Sequence, residues 1–100
     1  MMVVGVSKIE VFLPESHSLK EKRQATRKIV ERTKGKFNIA IMEIERSNLW
    51  QRASIGFALV GAGRDSVLEA MEHVYDFVES MYIGNIIDTK SEIMVIGDEV

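Results

Sequence analysis

A chain of 100 residues without cysteine can bury one hydrophobic core, and it excludes disulfides and thiolate metal sites. Its formal net charge of −2 argues against a uniformly basic nucleic-acid-binding protein. Lys8 and Glu10 interrupt the apolar start, so we expect no signal peptide, no membrane span and a cytoplasmic location. We expect a single domain over residues 1–100, whose tail, residues 97–100, frays.

The charges are unevenly distributed along the chain. Residues 1–64 carry twelve Lys and Arg against six Asp and Glu, whereas residues 65–100 carry one Lys against nine Asp and Glu. Eight of the 13 basic residues lie between Lys20 and Lys36. This pattern indicates either a basic patch for phosphate or an acidic partner, or two oppositely charged helices whose solvated faces lie side by side.

Alternating apolar residues predict a first strand over residues 3–13, and Pro14 ends it because proline lacks a backbone donor. Ser18 followed three residues later by Glu21 is a capping box. A helix is therefore expected from Ser18 to about residue 34, with Gly35 as its stop.

The middle of the chain predicts two strands that are joined by a short connection. Residues 37–45 are rich in Ile and Phe, and residues 52–61 alternate apolar and small side chains. The polar stretch at residues 46–51 predicts the turn between them. Glycines on both sides of Ala62 end the third strand.

The last third predicts a helix that begins at Asp65 or Ser66, with apolar residues at helical spacing and an acidic outer face. Residues 86–96 predict a final strand. The order strand, helix, strand, strand, helix, strand is the ferredoxin-like βαββαβ pattern of the α+β class. We therefore predict an antiparallel four-stranded sheet with both helices on one face.

The other face of this sheet is predicted to be partly apolar. The residues expected there are Val4, Val6, Phe12, Ala40, Met42, Ile44, Met94 and Ile96. Such a surface favours self-association with another copy of the chain. The alternative is that strand ends expose some apolar surface without any partner.

Lys22 occupies a position on the first helix that should be apolar. At about 100° per residue, Lys22 falls inside the stripe that contains Leu19 and Ile29, and Arg23 falls just beyond its other side. Cations in a first turn also oppose the helix dipole. An unpaired buried ammonium is costly, so we expect a carboxylate partner, an escape past the sheet edge or an external anion.

Glu43 and Glu45 are the nearest candidate partners. They are two residues apart, which on a regular strand places both on the helix-covered face. We therefore predict structural ion pairs of Lys22 and Arg23 with Glu43 or Glu45. The pair would leave the remaining basic groups free for an anion, or it would only seat the helix on the strand.

Chain order in this fold places residues 16–23 and residues 46–52 at the same end of the sheet. Trp50, the only tryptophan, lies there in a polar turn, and it would serve either to stack on a nucleobase or to pack under the turn. The candidates for binding an anion or RNA are Ser18, Lys20, Lys22, Arg23, Arg27, Arg46, Trp50, Gln51 and Arg52.

Four segments carry a family likeness: MVVGV, LPESHSLKEKR, FNIAIMEIE and LWQRA. They resemble a small bacterial family of unknown function typified by YlxP, over about residues 2–95. The resemblance implies a ferredoxin-like fold that self-associates. Because genes of this family often lie beside translation-initiation and ribosome-maturation genes, it also implies an RNA or ribosomal role. It supplies no catalytic residues, and the apolar stretch from Ile93 departs from the family pattern.

Three functions are therefore weighed. The first is a non-catalytic binding module for RNA or a ribosomal particle, and the second is a homo-oligomeric protein–protein adaptor. The third, a small enzyme acting on a phosphate ester, fits less well. Acylphosphatases share this topology but need a glycine in the loop after the first strand, and residues 14–18 contain none. We predict no catalytic residues, cofactor or metal, and neither DNA nor a membrane as partner.

Overall fold

The structure is a computed structural model that describes residues 1–97. The predicted fraying concerns residues 97–100, and all of these except Gly97 lie outside the described residues. It confirms the ferredoxin-like α+β fold. The elements are β1 (Met2–Phe12), α1 (Leu19–Lys36), β2 (Ala40–Glu45), β3 (Arg52–Gly61), α2 (Arg64–Ser80) and β4 (Asn85–Ile96). Neither helix of the described chain combines the length and the apolar character needed to cross a bilayer.

The sheet has the strand order β2-β3-β1-β4, and every neighbouring pair is antiparallel. β1 is central, and every second residue from Val3 to Val11 is buried. These residues face the two helices, and the apolar ones among them form the core together with Ile55 and Phe57 of β3. The intervening residues of β1 point to the opposite side, which no helix covers.

α2 packs closely against β1 because glycine leaves room for it. A Cβ added at Gly5 would lie 2.6 Å from the sulfur of Met71 and 2.8 Å from a methyl group of Val67. Both side chains are buried, so a larger residue at position 5 would force Met71 and Val67 of α2 to shift. α2 begins at Arg64 with Gly63 as its N-cap, earlier than the predicted start at residues 65–66.

α1 begins as predicted and ends later. The Ser18 hydroxyl accepts from the Glu21 N–H at 3.1 Å, while the Glu21 carboxylate accepts from the His17 N–H at 2.8 Å. The prediction that Gly35 stops the helix was wrong, because α1 continues to Lys36. The chain leaves the helix only at Phe37, which packs edge-to-face on Phe77 of α2. β2 consequently begins at residue 40 rather than 37.

The uncovered face of the sheet is apolar towards the end where β1 begins. Val60, Val4 and Met94 are neighbours across three strands, and Val60 and Met94 are 66% and 47% exposed. Met42 and Ile44 extend this surface along the edge strand β2 and are also exposed. Farther along, the same face carries charges of both signs, namely Lys8, Glu10, Asp88, Lys90 and Glu92.

Candidate anion and nucleic-acid interface

The connection after β1 and the turn between β2 and β3 meet at one end of the sheet, as predicted. The Leu13 N–H donates to the carbonyl of Gln51 at 2.8 Å. The Gln51 side-chain amide donates in turn to the carbonyl of Pro14 at 3.3 Å. These bonds hold residues 16–23 and residues 46–52 together, and the bonds of Lys22 do the same. We call this end of the molecule the rim.

Lys22 is buried, with 2% of its surface exposed, but its partner is not a carboxylate. The ammonium donates to the carbonyl of Ser47 at 2.9 Å and to the Ser47 hydroxyl at 3.1 Å. No acidic group among residues 1–97 lies within ion-pair distance of Lys22 or of Arg23. The structure therefore corrects the predicted ion pairs and shows a buried ammonium whose direct partners are the two oxygens of Ser47.

A β-bulge explains why Glu45 is not a partner of Lys22. Glu43 pairs with Ile55 and Glu45 pairs with Ser54, so Ile44 is an extra residue. The expectation that both glutamates share one face was wrong, because the bulge turns Glu45 to the uncovered face. Glu43 stays on the helix-covered side, where the Arg46 side chain lies 4.0 Å away.

Glu45 instead pairs with Lys8 across the uncovered face, at 2.5 Å. The hydrogen bond that Lys8 donates lowers the pKa of the Glu45 carboxyl below its ordinary value, with the lysine charge acting in the same direction. The same bond raises the pKa of Lys8. Glu45 is thus committed to the uncovered face and is unavailable to the rim.

The rim contains an open groove of about 550 Å³. Its apolar lining comes from Phe12, Leu49 and Trp50, and Trp50 is 54% exposed. Its polar lining consists of Ser16, His17, Asn48, Gln51 and Arg52. An accessible indole beside a guanidinium and side-chain amides is a surface that can stack on a planar ring and hydrogen-bond to its edge.

The predicted anion-binding residues differ in their availability. Lys20, Arg23 and Arg27 are exposed on α1, and the Arg46 side chain is 85% exposed in the turn. The Ser18 hydroxyl already serves as the helix cap, so it is not a free ligand. Arg52 lies 4.0 Å from Glu10, which screens part of its charge.

A second concave surface lies between α1 and β2 and was missed by sequence reasoning. It is a cleft of about 520 Å³, lined by Arg23, Thr26, Arg27, Val30, Met42, Glu43 and Arg46. The hydroxyl of Thr26 is the one buried side-chain polar atom without a hydrogen-bond partner in residues 1–97. Only the helical position of Thr26 inside the apolar stripe could have signalled it.

Tyr82 was also missed. It follows α2 with a φ of 54°, the only non-glycine residue of the described chain in the left-handed region, and it is 94% exposed. Because α2 ends where β1 ends, this tyrosine lies at the same end of the sheet as the groove. No sequence signal predicted it, since tyrosine does not favour this backbone conformation.

Comparison with known proteins now places the chain in a family. Residues 4–91 match the family described as a protein of unknown function (DUF503). The chain belongs to the DUF503 family. It is 35% identical over 78 residues to the uncharacterized protein YlxP of Bacillus subtilis (strain 168), covering 78% of this chain and 85% of that protein. The resemblance predicted from the sequence is confirmed.

The fold also recurs in the de novo designed protein Foldit4, with a TM-score of 0.57 and 11% sequence identity. The match covers 97% of the DUF503 chain and 100% of the designed one. At this identity the likeness concerns the fold alone. No group of three or more metal-ligating side chains comes together within the described part of the DUF503 chain.

Proposed function

We propose that this protein binds RNA, free or as part of a ribosomal particle, with bases held in the rim groove and phosphates on the cations of α1. The observation that carries this proposal is the half-exposed Trp50 in a groove that also contains Phe12 and Arg52. Aromatic faces stack on unpaired bases of any sequence, and nearby guanidinium groups bind the backbone.

The charge of α1 supports the same reading. Seven of its Lys and Arg side chains are exposed, against only Glu21 and Glu31 on the acidic side. Lys20 and Arg23 lie in the first turns of α1, at the rim, and Arg27 lies one turn farther along. A strand of RNA that leaves the groove would therefore pass directly onto a row of cations.

The test uses Trp50 as its own probe, because it is the only tryptophan in the sequence. Titration with a single-stranded RNA oligonucleotide should quench its fluorescence, and the affinity should fall steeply between low and moderate salt. Trp50→Ala should cost about 1–3 kcal/mol of binding free energy, whereas Trp50→Phe should keep most of it.

Arg52→Gln and Arg64→Gln form a matched pair of charge controls. Arg52 lines the groove, whereas Arg64 begins α2 at the opposite end of the sheet. Only the first change should weaken RNA binding. An affinity that ignores salt, or that survives Trp50→Ala unchanged, would remove the basis of the proposal.

A second candidate function is homo-oligomeric assembly through the uncovered face. The apolar row of Val60, Val4 and Met94 supports it, since it is continuous over three strands and both of its outer members are exposed. The charges beside this row include both signs, with Lys8 and Lys90 next to Glu10 and Asp88. A second copy related by a two-fold axis could therefore place opposite charges against each other.

Sedimentation velocity at micromolar concentration tests this assembly. The wild type should sediment as a dimer and Val60→Glu as a monomer, because the change places a carboxylate in the middle of the apolar row. Leu68→Glu is the control, since Leu68 is also exposed but lies on α2. A monomeric wild type would contradict this candidate, and so would equal effects of the two changes.

A further inference from the structure

The cleft between α1 and β2 is surrounded by more positive than negative charge. Arg23, Arg27 and Arg46 line it, and Glu43 is the only acidic residue among its lining residues. The Arg46 side chain is 4.0 Å from Glu43, so this contact neutralises only one of the three arginines, and only in part.

At its rim end the cleft adjoins a smaller cavity of about 40 Å³, which shares Arg23, Glu43 and Arg46 with it. Lys22, Ser47 and Asn48 complete the polar lining of this cavity. The Lys22 ammonium has three protons and gives two of them to Ser47, so one remains without an acceptor in the described residues. The cavity thus combines a buried ammonium, two guanidinium groups and one carboxylate.

Thr26 gives an independent sign of an absent partner. Its hydroxyl is buried and has no hydrogen bond, although Thr26 lines the cleft beside Arg23 and Arg27. The other buried threonine of α1, Thr33, donates its hydroxyl proton to the carbonyl of Ile29 at 2.6 Å, so its hydrogen-bonding requirement is met within the helix. The unsatisfied hydroxyl shows that the wall of this cationic cleft, unlike the buried Thr33, contains a donor that the chain itself does not pair.

We infer that this cleft binds a phosphate group. A phosphate offers several acceptor oxygens, which suits one ammonium proton from Lys22 and the forked donors of Arg23 and Arg46. A space of about 40 Å³ holds a few water molecules or one small oxoanion. The remainder of the ligand would lie in the larger cleft, against Val30 and Met42.

The inference goes beyond RNA binding, because a free phosphate ester would satisfy the same donors as a phosphate of RNA. The bound group also resolves the energetic problem of Lys22. A buried cation without a direct ion-pair partner lowers stability, and a phosphate supplies negative charge beyond that of Glu43, which Arg46 shares. The protein should therefore be markedly more resistant to heat when inorganic phosphate is present.

The experiment measures the melting temperature in inorganic phosphate and in chloride of the same ionic strength. The wild type should melt higher in phosphate. Lys22→Met should lose at least about tenfold in phosphate affinity, because it removes the buried charge and keeps the length of the side chain. Lys28→Met, the same change on the exposed side of α1, should leave the phosphate response intact.

Arg46→Gln provides a second variant in case Lys22→Met fails to fold, since the Arg46 side chain is largely exposed. It should weaken phosphate binding as well, because it removes a donor and leaves Glu43 without its partner. The inference is overturned if phosphate acts no better than chloride on the wild type. It is also overturned if Lys28→Met reduces the response as much as Lys22→Met and Arg46→Gln.

Two further arms keep this result separate from the RNA proposal and identify the source of the phosphate. Trp50→Ala should retain the full phosphate response, because Trp50 does not line the cleft. An RNA oligonucleotide with a 5′-phosphate is compared with one that ends in a hydroxyl. Tighter binding of the former through Lys22 supports the cleft as a site for an RNA end. Equal binding, with the inorganic phosphate response intact, supports a free phosphate ester.

Discussion

The two helices lie side by side on the same face of the sheet, yet they bury different side chains. α2 buries only apolar residues, namely Val67, Met71, Val74 and Val78. α1 buries one apolar residue among three polar ones, namely Lys22, Thr26, Ile29 and Thr33. A helix selected for stability alone would look like α2. We conclude that α2 contributes more to the apolar core than α1, and that three of the four residues that α1 buries are polar, among them two that line the proposed phosphate site.

The largest change in stability should come from shortening a buried side chain of α2. Met71→Ala should lower the free energy of unfolding by about 2–5 kcal/mol, because it leaves a cavity between α2 and Gly5 of β1. Urea denaturation followed by circular dichroism measures this loss. A loss below about 1 kcal/mol would mean that α2 does not dominate stability.

Replacing a buried residue of α1 should instead stabilise the protein. Thr26→Val removes a buried hydroxyl without a partner, keeps the shape of the side chain, and should raise the free energy of unfolding by about 1 kcal/mol. Thr33→Val is the control, because its hydroxyl is bonded to Ile29 and the change should not stabilise. If Thr26→Val destabilised the protein, the contrast between the helices would disappear.

Much of this contrast could be predicted from the sequence. The apolar stripe of α2 and the misplaced Lys22 both follow from helical periodicity, and the meeting of residues 16–23 with residues 46–52 follows from chain order. The position of Glu45 could not be predicted, because a strand is assumed to alternate regularly until a bulge is seen. One extra residue, Ile44, moved Glu45 to the other face.

The ends of the helices were predicted less well, because tertiary contacts decide where they lie. Gly35 is a good local stop signal, but the packing of Phe37 on Phe77 decides where α1 ends. Likewise nothing in the sequence around Tyr82 favours a positive φ, and the conformation arises from the path that the chain takes between α2 and β4. Local chemistry predicted where elements exist better than where they stop.

The ends of the two helices offer a smaller test of the same contrast. α1 leaves into extended backbone at Phe37, whereas α2 leaves through Tyr82 in the left-handed region. Tyr82→Gly should raise the free energy of unfolding by about 0.5 kcal/mol, as relief of the steric cost exceeds the entropy that glycine loses. Tyr82→Ala keeps the strained backbone and should not stabilise. Weaker RNA binding by both variants would assign the ring a role at the rim.

The smallest effect belongs to the face that neither helix covers. Glu45→Gln removes the pair with Lys8, and the wild type should be slightly more stable at neutral pH. The pair lowers the pKa of Glu45 below its ordinary value of 4.5. The extra stability of the wild type is therefore fully present at pH values above 4.5, and it is lost as the pH falls through the lowered pKa of the folded protein. Urea midpoints at pH 7 and at pH 3 measure the difference. If the advantage of the wild type at pH 3 were as large as at pH 7, Glu45 would not be stabilised by its pair with Lys8.

The bulge at Ile44 also governs how the sheet can grow. β2 is an edge strand, and its outer backbone groups are a template on which another chain could add a strand. An interrupted ladder accepts such an addition poorly, since the hydrogen-bond spacing changes in the middle of the strand. Ile44, the extra residue that turns Glu45 to the other face, therefore also disfavours open-ended, fibre-like polymerisation along this edge.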